Sequence, residues 1–483
     1  MHKSHTAQRQ IITRGALTRT TLSTICSWLF LLQLSSLGLV VLAAEPNHAD
    51  TSYDLLQIYD FAKAYDAEFQ QNQLLLDAQA HNLASSSSGL KPSVTLTGDI
   101  SHSETTTTGS AMSLFPSAED GSQSGVSRVF ALNVQQIIFD LEDINRHQQG
   151  ETALSSLSAE RRQLEQGFLQ KVSTLFFDAL LAQDDLYLAQ RQAQTLAQQL
   201  SQAQERFEVG LVSVTDVLEA QAQLDNAKVD TLAAQNQLAI TREDLLLLTG
   251  KSINTLKTLS TEYPIIRPKP ELLADWINIA QTQSPALQIA EKSLEKAKLQ
   301  HDLAQRAYLP SINLFGRYST TEGYQSGFDQ PDQKGSSVGL SLEMPLYLGG
   351  AIGHAKRESA AQWMAQRAAL TAEKRQLLRD ITSQHDQVLT DIRRVKAQHK
   401  SVASNTSALE ATQAGYVAGI RNIVDVLVAQ QQLFTAERNY AKSRYDYIKR
   451  ILALRGRAGA LDRKALEKLN RWLEHPKDTK STR

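Results

Sequence analysis

The stretch Phe207–Leu224, FEVGLVSVTDVLEAQAQL, returns at Tyr416–Leu433 as YVAGIRNIVDVLVAQQQL, 209 positions later. Glycine falls on glycine, aspartate on aspartate and Val-Leu on Val-Leu. The echo reaches well beyond this stretch. Lys91–Gly98 (KPSVTLTG) is matched by Leu309–Gly316 (LPSINLFG), and Leu132–Asp140 (LNVQQIIFD) by Leu340–Leu348 (LSLEMPLYL). A unit of about 210 residues used twice is too long for a small solenoid repeat and reads as a duplicated domain. Whatever one half folds into, the other must fold into as well.

Two periodicities alternate inside each unit. Leu164, Phe168, Val172, Leu175, Ala179, Ala182, Leu186 and so on to Phe207 recur at gaps of three and four, a heptad seam of long packed helices. Leu377, Ile381, Val388, Val395, Val402, Leu409 and Tyr416 occupy the equivalent face of the second half. A helix from about Asp140 to Val209 is ~100 Å long and needs neighbours of comparable length to cover its seam. The other period is two. Val94, Leu96 and Ile100 alternate with Thr95, Thr97 and Ser101, and Leu340, Leu342 and Met344 with Ser341 and Glu343. Stretches of roughly 10 residues with one apolar and one polar face suit transmembrane barrel strands as well as an ordinary half-buried sheet. The polar segments Glu104–Gly125 and Thr320–Ser336 read as long outward-facing loops and favour the barrel. Four strands are too few to close, because a lipid-facing sheet must hide its edges and the smallest membrane barrels have about 8 strands. The barrel is therefore expected to be shared between subunits.

The N-terminus carries Lys3, Arg9, Arg14 and Arg19 with no acid, then the apolar run Trp28–Ala44. This predicts a secretory signal peptide over 1–44, the alternative being an uncleaved anchor. Its removal takes away Cys26, the single cysteine, and leaves 46 basic against 51 acidic groups. That balance excludes a nucleic-acid surface, and a chain without cysteine has neither disulfide nor thiolate metal site. No HExxH, GxxxxGKS/T or nucleophile-elbow pattern is present, so neither enzyme activity, cofactor nor metal is expected. His385 and His399 fall on a polar helix and are expected to be solvated. The expected division is a first repeat over 45–250, with strands near 92–107 and 127–139 and a helical hairpin tip near 209–213. A connection over 251–283 follows, then a second repeat over 284–459, with strands near 310–320 and 337–347 and a tip near 418–422. Residues 460–483 form a C-terminal segment.

In order and in register, these features resemble the TolC family of outer-membrane channel proteins. The resemblance is carried by the duplicated helix–strand–strand–helix unit, the strand exits IIFD (Ile137–Asp140) and PLYLGG (Pro345–Gly350), and the tips Gly210–Leu218 and Gly419–Leu427. The segment Ala458–Asn470 is similar to the family's closing segment. The resemblance implies a mainly α fold with a membrane β-barrel portion: a homotrimer with a 12-stranded barrel in outer-membrane lipid, continued by a helical tunnel into the periplasm. It implies an exit duct for drugs or polypeptides, docked by a periplasmic adaptor and an inner-membrane transporter of RND, ABC or MFS type. The rival reading is a periplasmic coiled-coil adaptor or scaffold without a barrel.

Gly210 and Gly419 sit where a long helix must reverse, and glycine supplies the positive φ that such a turn needs. Gly210, Leu211, Val212, Ser213, Gly419 and Ile420 are then hairpin tips: plain turns, or in addition adaptor contacts. Asp216 and Asp425 suit helix N-termini. By the resemblance, Tyr416, Arg421, Asp216 and Thr215 form the network that closes the entrance, and Asp425 projects into the lumen as a ring of acids. Val428 stands where the family's second lumen acid would be, so that ring is not carried over; Glu219 holds the equivalent place in the first repeat.

Overall fold

The computed structural model describes residues 52–107, 121–325 and 328–474. The expected signal peptide and most of the Glu104–Gly125 loop lie outside them. In chain order the elements are α1 (Leu55–Tyr65), α2 (Ala67–Ala84), a 3₁₀ turn (Ser85–Leu90), β1 (Ser93–Thr107), β2 (Gly121–Phe139), α3 (Leu141–Glu208) and α4 (Val214–Thr249). There follow β3 (Thr258–Leu259), α5 (Leu273–Gln283), α6 (Pro285–Gln305), β4 (Ser311–Gln325), β5 (Phe328–Glu343), α7 (Ala351–Val417) and α8 (Ile423–Arg457). The chain closes with α9 (Arg463–Asn470) and β6 (Leu473–Glu474).

The duplication is visible throughout. α3 and α7 have 68 and 67 residues, and α4 and α8 have 36 and 35. The IIFD exit explains itself locally: strand β2 ends on Phe139, and Asp140 caps α3 by accepting the Glu142 amide at 2.7 Å. Each long helix packs on α4 or α8 toward one end and on short helices toward the other, so that α3 meets α2 and α6 while α7 meets α5 and α6. The α5–α6 pair is the counterpart of α1–α2. The second repeat thus begins at Leu273, inside the stretch 251–283 that sequence reasoning gives to a connection.

β1, β2, β4 and β5 form one antiparallel sheet in that order, with β1 and β5 at its edges. The register puts Leu96 opposite Leu132 and Leu132 opposite Tyr318, and likewise Val94 opposite Val134 and Leu314 opposite Leu340. One face is therefore an apolar stripe, yet it is not a core: Val338 is 82% and Leu340 69% exposed. Several boundaries differ from expectation, and β2 already starts at Gly121 instead of near 127. The polar stretch Thr320–Ser336 is mostly strand, because β4 runs to Gln325 and β5 starts at Phe328. Ladder hydrogen bonds to a paired neighbour override its loop-like composition. At the other end β5 stops at Glu343, short of 347, just before Met344-Pro345; proline has no N–H to continue the ladder.

The main core lies where α1, α3, α5, α7, α8 and α9 meet, around Tyr59, Phe176, Phe177, Trp276, Ile381 and Tyr447. His385 is buried here, with Nε2 3.4 Å from the Glu271 carbonyl oxygen. The expectation that it is solvated is corrected: the connection between the repeats folds back over α7, which a one-helix pattern does not reveal. His399 is exposed and tilted against Tyr440, with ring centroids 5.3 Å apart.

A polar contact is built into the α3–α8 seam. The Tyr445 hydroxyl donates to Asp184 at 2.6 Å. Burial raises the Asp184 carboxyl above its ordinary value, against the opposing pull of that hydrogen bond. A raised folded-state pKa means that stability is fully present below the unfolded carboxylate value, about 3.9, and is lost as pH rises through the folded value. Asp184→Asn keeps an acceptor for Tyr445. It is expected to melt higher than wild type at pH 7 in detergent, with the gap closing toward pH 4; a lower midpoint at pH 7 would contradict the assignment.

Candidate functional site at the hairpin tips

The tips answer why the motif pairs a glycine with an aspartate six residues on. α3 ends at Glu208, Gly210 takes φ 74°, and the Leu211 amide donates to the Arg206 carbonyl at 2.8 Å. Ser213 then caps α4. Its hydroxyl accepts the Asp216 amide at 3.3 Å while the Asp216 carboxylate accepts the Ser213 amide at 3.0 Å. The second tip repeats this with other residues. Gly419 also has φ 74°, and the Ile420 amide donates to Gly415 at 2.9 Å. Asn422 caps α8 in a reciprocal bond with Asp425, at 2.8 and 3.4 Å. Both aspartates are thus the third residue of a capping box, a more specific role than a favourable charge near a helix end.

Below the turns the two hairpins share a small core of Leu196, Leu200, Ala220, Leu224, Ile423 and Val426, with Tyr416 and Val217 packed against it. Beyond it the tips are bare: Leu211 is 72% and Ile420 80% exposed, and Val209 and Val417 are exposed beside them. Val212 is half-buried. Val428 is half-exposed on α8.

The residues expected to close the entrance fall into two groups. On the second tip, the Arg421 guanidinium lies 3.7 Å from Asp425. On the first, Thr215 and Asp216 both bond to Ser213, Thr215 through its hydroxyl at 2.5 Å. Within the chain no bond joins Tyr416 or Arg421 to Asp216 among the described residues; the Tyr416 hydroxyl is buried without a partner.

Two residues at the tips escape sequence reasoning. Arg206, on α3, stacks its guanidinium over the Tyr416 ring at 4.7 Å from the centroid. Gly415 seats the Arg421 stem, since a Cβ there would meet Arg421 Cγ at 2.9 Å. Both occupy the same column of the repeat, 209 positions apart. That exchange of arginine for glycine next to a matched aromatic was the available signal.

Residues 58–251 and 276–460 match the family described as "Outer membrane efflux protein". The chain belongs to this family. It is 30% identical to the outer membrane protein TolC of Vibrio cholerae, over 87% of this chain and 94% of that one. It is 28% identical to the alkaline protease secretion protein AprF of Pseudomonas aeruginosa, over 71% of each. Among solved structures it is similar to CusC, with a TM-score of 0.72 at 15% identity over 85% of this chain and 93% of that one. The outer membrane protein VceC of Vibrio cholerae gives a TM-score of 0.68 at 18% identity over 84% and 96%. These two likenesses concern the fold, mostly helical with a four-stranded sheet among the described residues. As an outer membrane efflux family member, the chain is an exit duct of the outer membrane with a tunnel into the periplasm, serving efflux or type I secretion. The family is one of transport ducts, and the adaptor or scaffold without a barrel is not favoured.

Proposed function

We propose that three copies of this chain close a 12-stranded barrel in outer-membrane lipid and continue it as a helical tunnel, which a periplasmic adaptor and an inner-membrane transporter engage at the hairpin tips. The observation that carries this reading is the sheet: four strands of 15 to 19 residues whose two edges are unpaired, and whose apolar face is uncovered, among the described residues. Such edges and such a face are stable in a bilayer only when the sheet closes and lipid covers the stripe. The exposed tips Gly210–Ser213 and Gly419–Ile420 are the adaptor's contact. Purification from outer membranes in detergent is expected to give a trimer by mass measurement. A stable monomer that leaves the membrane in buffer alone would overturn the reading.

At the entrance, Arg421 and the Tyr416 hydroxyl of the second hairpin close the tunnel against Thr215 and Asp216 of the first. Asp425 faces the lumen, where three carboxylates select cations. Val428, one turn further, forms an apolar ring in place of a second acidic one. Asp425→Asn retains a capping acceptor and removes the charge. It is expected to weaken block by a trivalent hexammine cation by about tenfold, the effect of roughly 1.4 kcal/mol; unchanged block would take Asp425 out of the lumen. The efflux family and a relative named as a protease secretion protein leave both small molecules and polypeptides as cargo.

A further inference from the structure

Tyr416 has two ways to be held, and the closing network uses only its hydroxyl. Its ring face is occupied separately, by Arg206 from the other hairpin, 4.7 Å from the centroid. The Arg206 backbone is fixed in place. The residue sits in the last turn of α3, its carbonyl accepts the Leu211 amide that forms the tip, and among the described residues its guanidinium makes no ion pair. A half-buried cation over a ring, with no carboxylate competing for it, gains from cation–π attraction. The contact joins α3 to α7, the long helices of the two repeats, close to the tips.

We propose that Arg206 is a positioning residue of the entrance: it clamps the Tyr416 ring and so holds the second hairpin against the first in the closed arrangement. The inference deepens the closing role proposed above for Tyr416 and rests on it. The exchange within the duplication supports the assignment. The first repeat carries arginine where the second carries Gly415, and Gly415 gives the Arg421 stem its seat. Each tip therefore brings one arginine to the neighbourhood of Tyr416: Arg206 over its face, and Arg421 over the residue beside it. An arginine at both positions would displace the Arg421 stem, and a glycine at both would leave the ring face bare. Opening that rotates α7 away from α3 must slide the ring off the guanidinium, which makes Arg206 a brake on the motion and not a ligand of the cargo.

The test is conductance of the full-length protein in planar bilayers, with oligomeric state and melting midpoint checked for every variant. Arg206→Gln is expected to shift the closed-to-open ratio toward open by about two- to fivefold per chain, the equivalent of one partly exposed cation–π contact. Arg206→Lys is expected to restore most of the closure, since an ammonium also sits over a ring. Tyr416→Leu should open the channel, and adding Arg206→Gln to it should produce no further change, because the two residues act through one contact. If Tyr416→Leu opens the channel while Arg206→Gln conducts like wild type, or if the two effects multiply, the clamp is overturned and the closing role of Tyr416 stands. If Tyr416→Leu and Arg206→Gln both conduct like wild type, that closing role fails and the clamp with it.

Discussion

Tyr416→Phe combined with Arg421→Ser is expected to raise single-channel conductance in planar bilayers on the order of tenfold. Among the described residues, each of the two side chains lacks a strong partner within its own chain. The Tyr416 hydroxyl is buried with no partner, and an unsatisfied buried hydroxyl costs about 1–3 kcal/mol. Arg421 is largely exposed and only loosely paired with Asp425 at 3.7 Å, a separation at which an exposed ion pair contributes about 0–1 kcal/mol. In the closed entrance proposed above, both groups gain bonds that the single chain lacks, and a hydrogen bond to a charged group is worth about 1.5–3 kcal/mol. Removing the hydroxyl and the guanidinium together deletes both while leaving the ring in place beneath Arg206. The capping boxes of both tips remain, so the hairpins should still fold. An unchanged conductance would show that the closing contacts lie elsewhere along the tunnel.

Trp276→Ala should lower folding stability by about 3–5 kcal/mol, the range for deleting a large buried aromatic. Trp276 is among the largest fully buried side chains, and its indole Nε1 donates to the Pro270 carbonyl at 2.7 Å. It fastens the connection between the repeats to the core shared by α5, α7 and α8. The variant loses the ring volume and leaves the Pro270 carbonyl without its donor. Trp276→Phe keeps most of the volume and is expected to lose only about 1 kcal/mol, the worth of the hydrogen bond. Thermal melts in detergent, with yield of assembled protein as a second readout, check both. Equal midpoints for Trp276→Ala and wild type would mean that the connection is not held by this residue.

Much of this was legible in the chain because local patterns report local structure. The seam from Phe168 to Ala203 is buried at Phe168, Val172, Ala179, Ala182, Leu196, Leu200 and Ala203, since a heptad pattern records which side of a helix must be covered. Phe207, at the end of the same seam, is exposed, because the partner that would cover it gives way to the turn. The strand alternation was legible for the same reason, while strand length was not: pairing with a neighbour decided that Thr320–Ser336 would extend and that β5 would stop at Glu343.

By itself, then, the sequence determined the duplication, the helical seams, the apolar face of each strand and the glycines that reverse the helices, all set by residues close together in the chain. Only the tertiary structure decided that Arg206 lies over Tyr416, that Gly415 seats Arg421 and that His385 is buried. Each of these joins residues from different helices or across a turn. Such contacts depend on how two hairpins rotate about each other, a degree of freedom that no periodicity along one helix encodes.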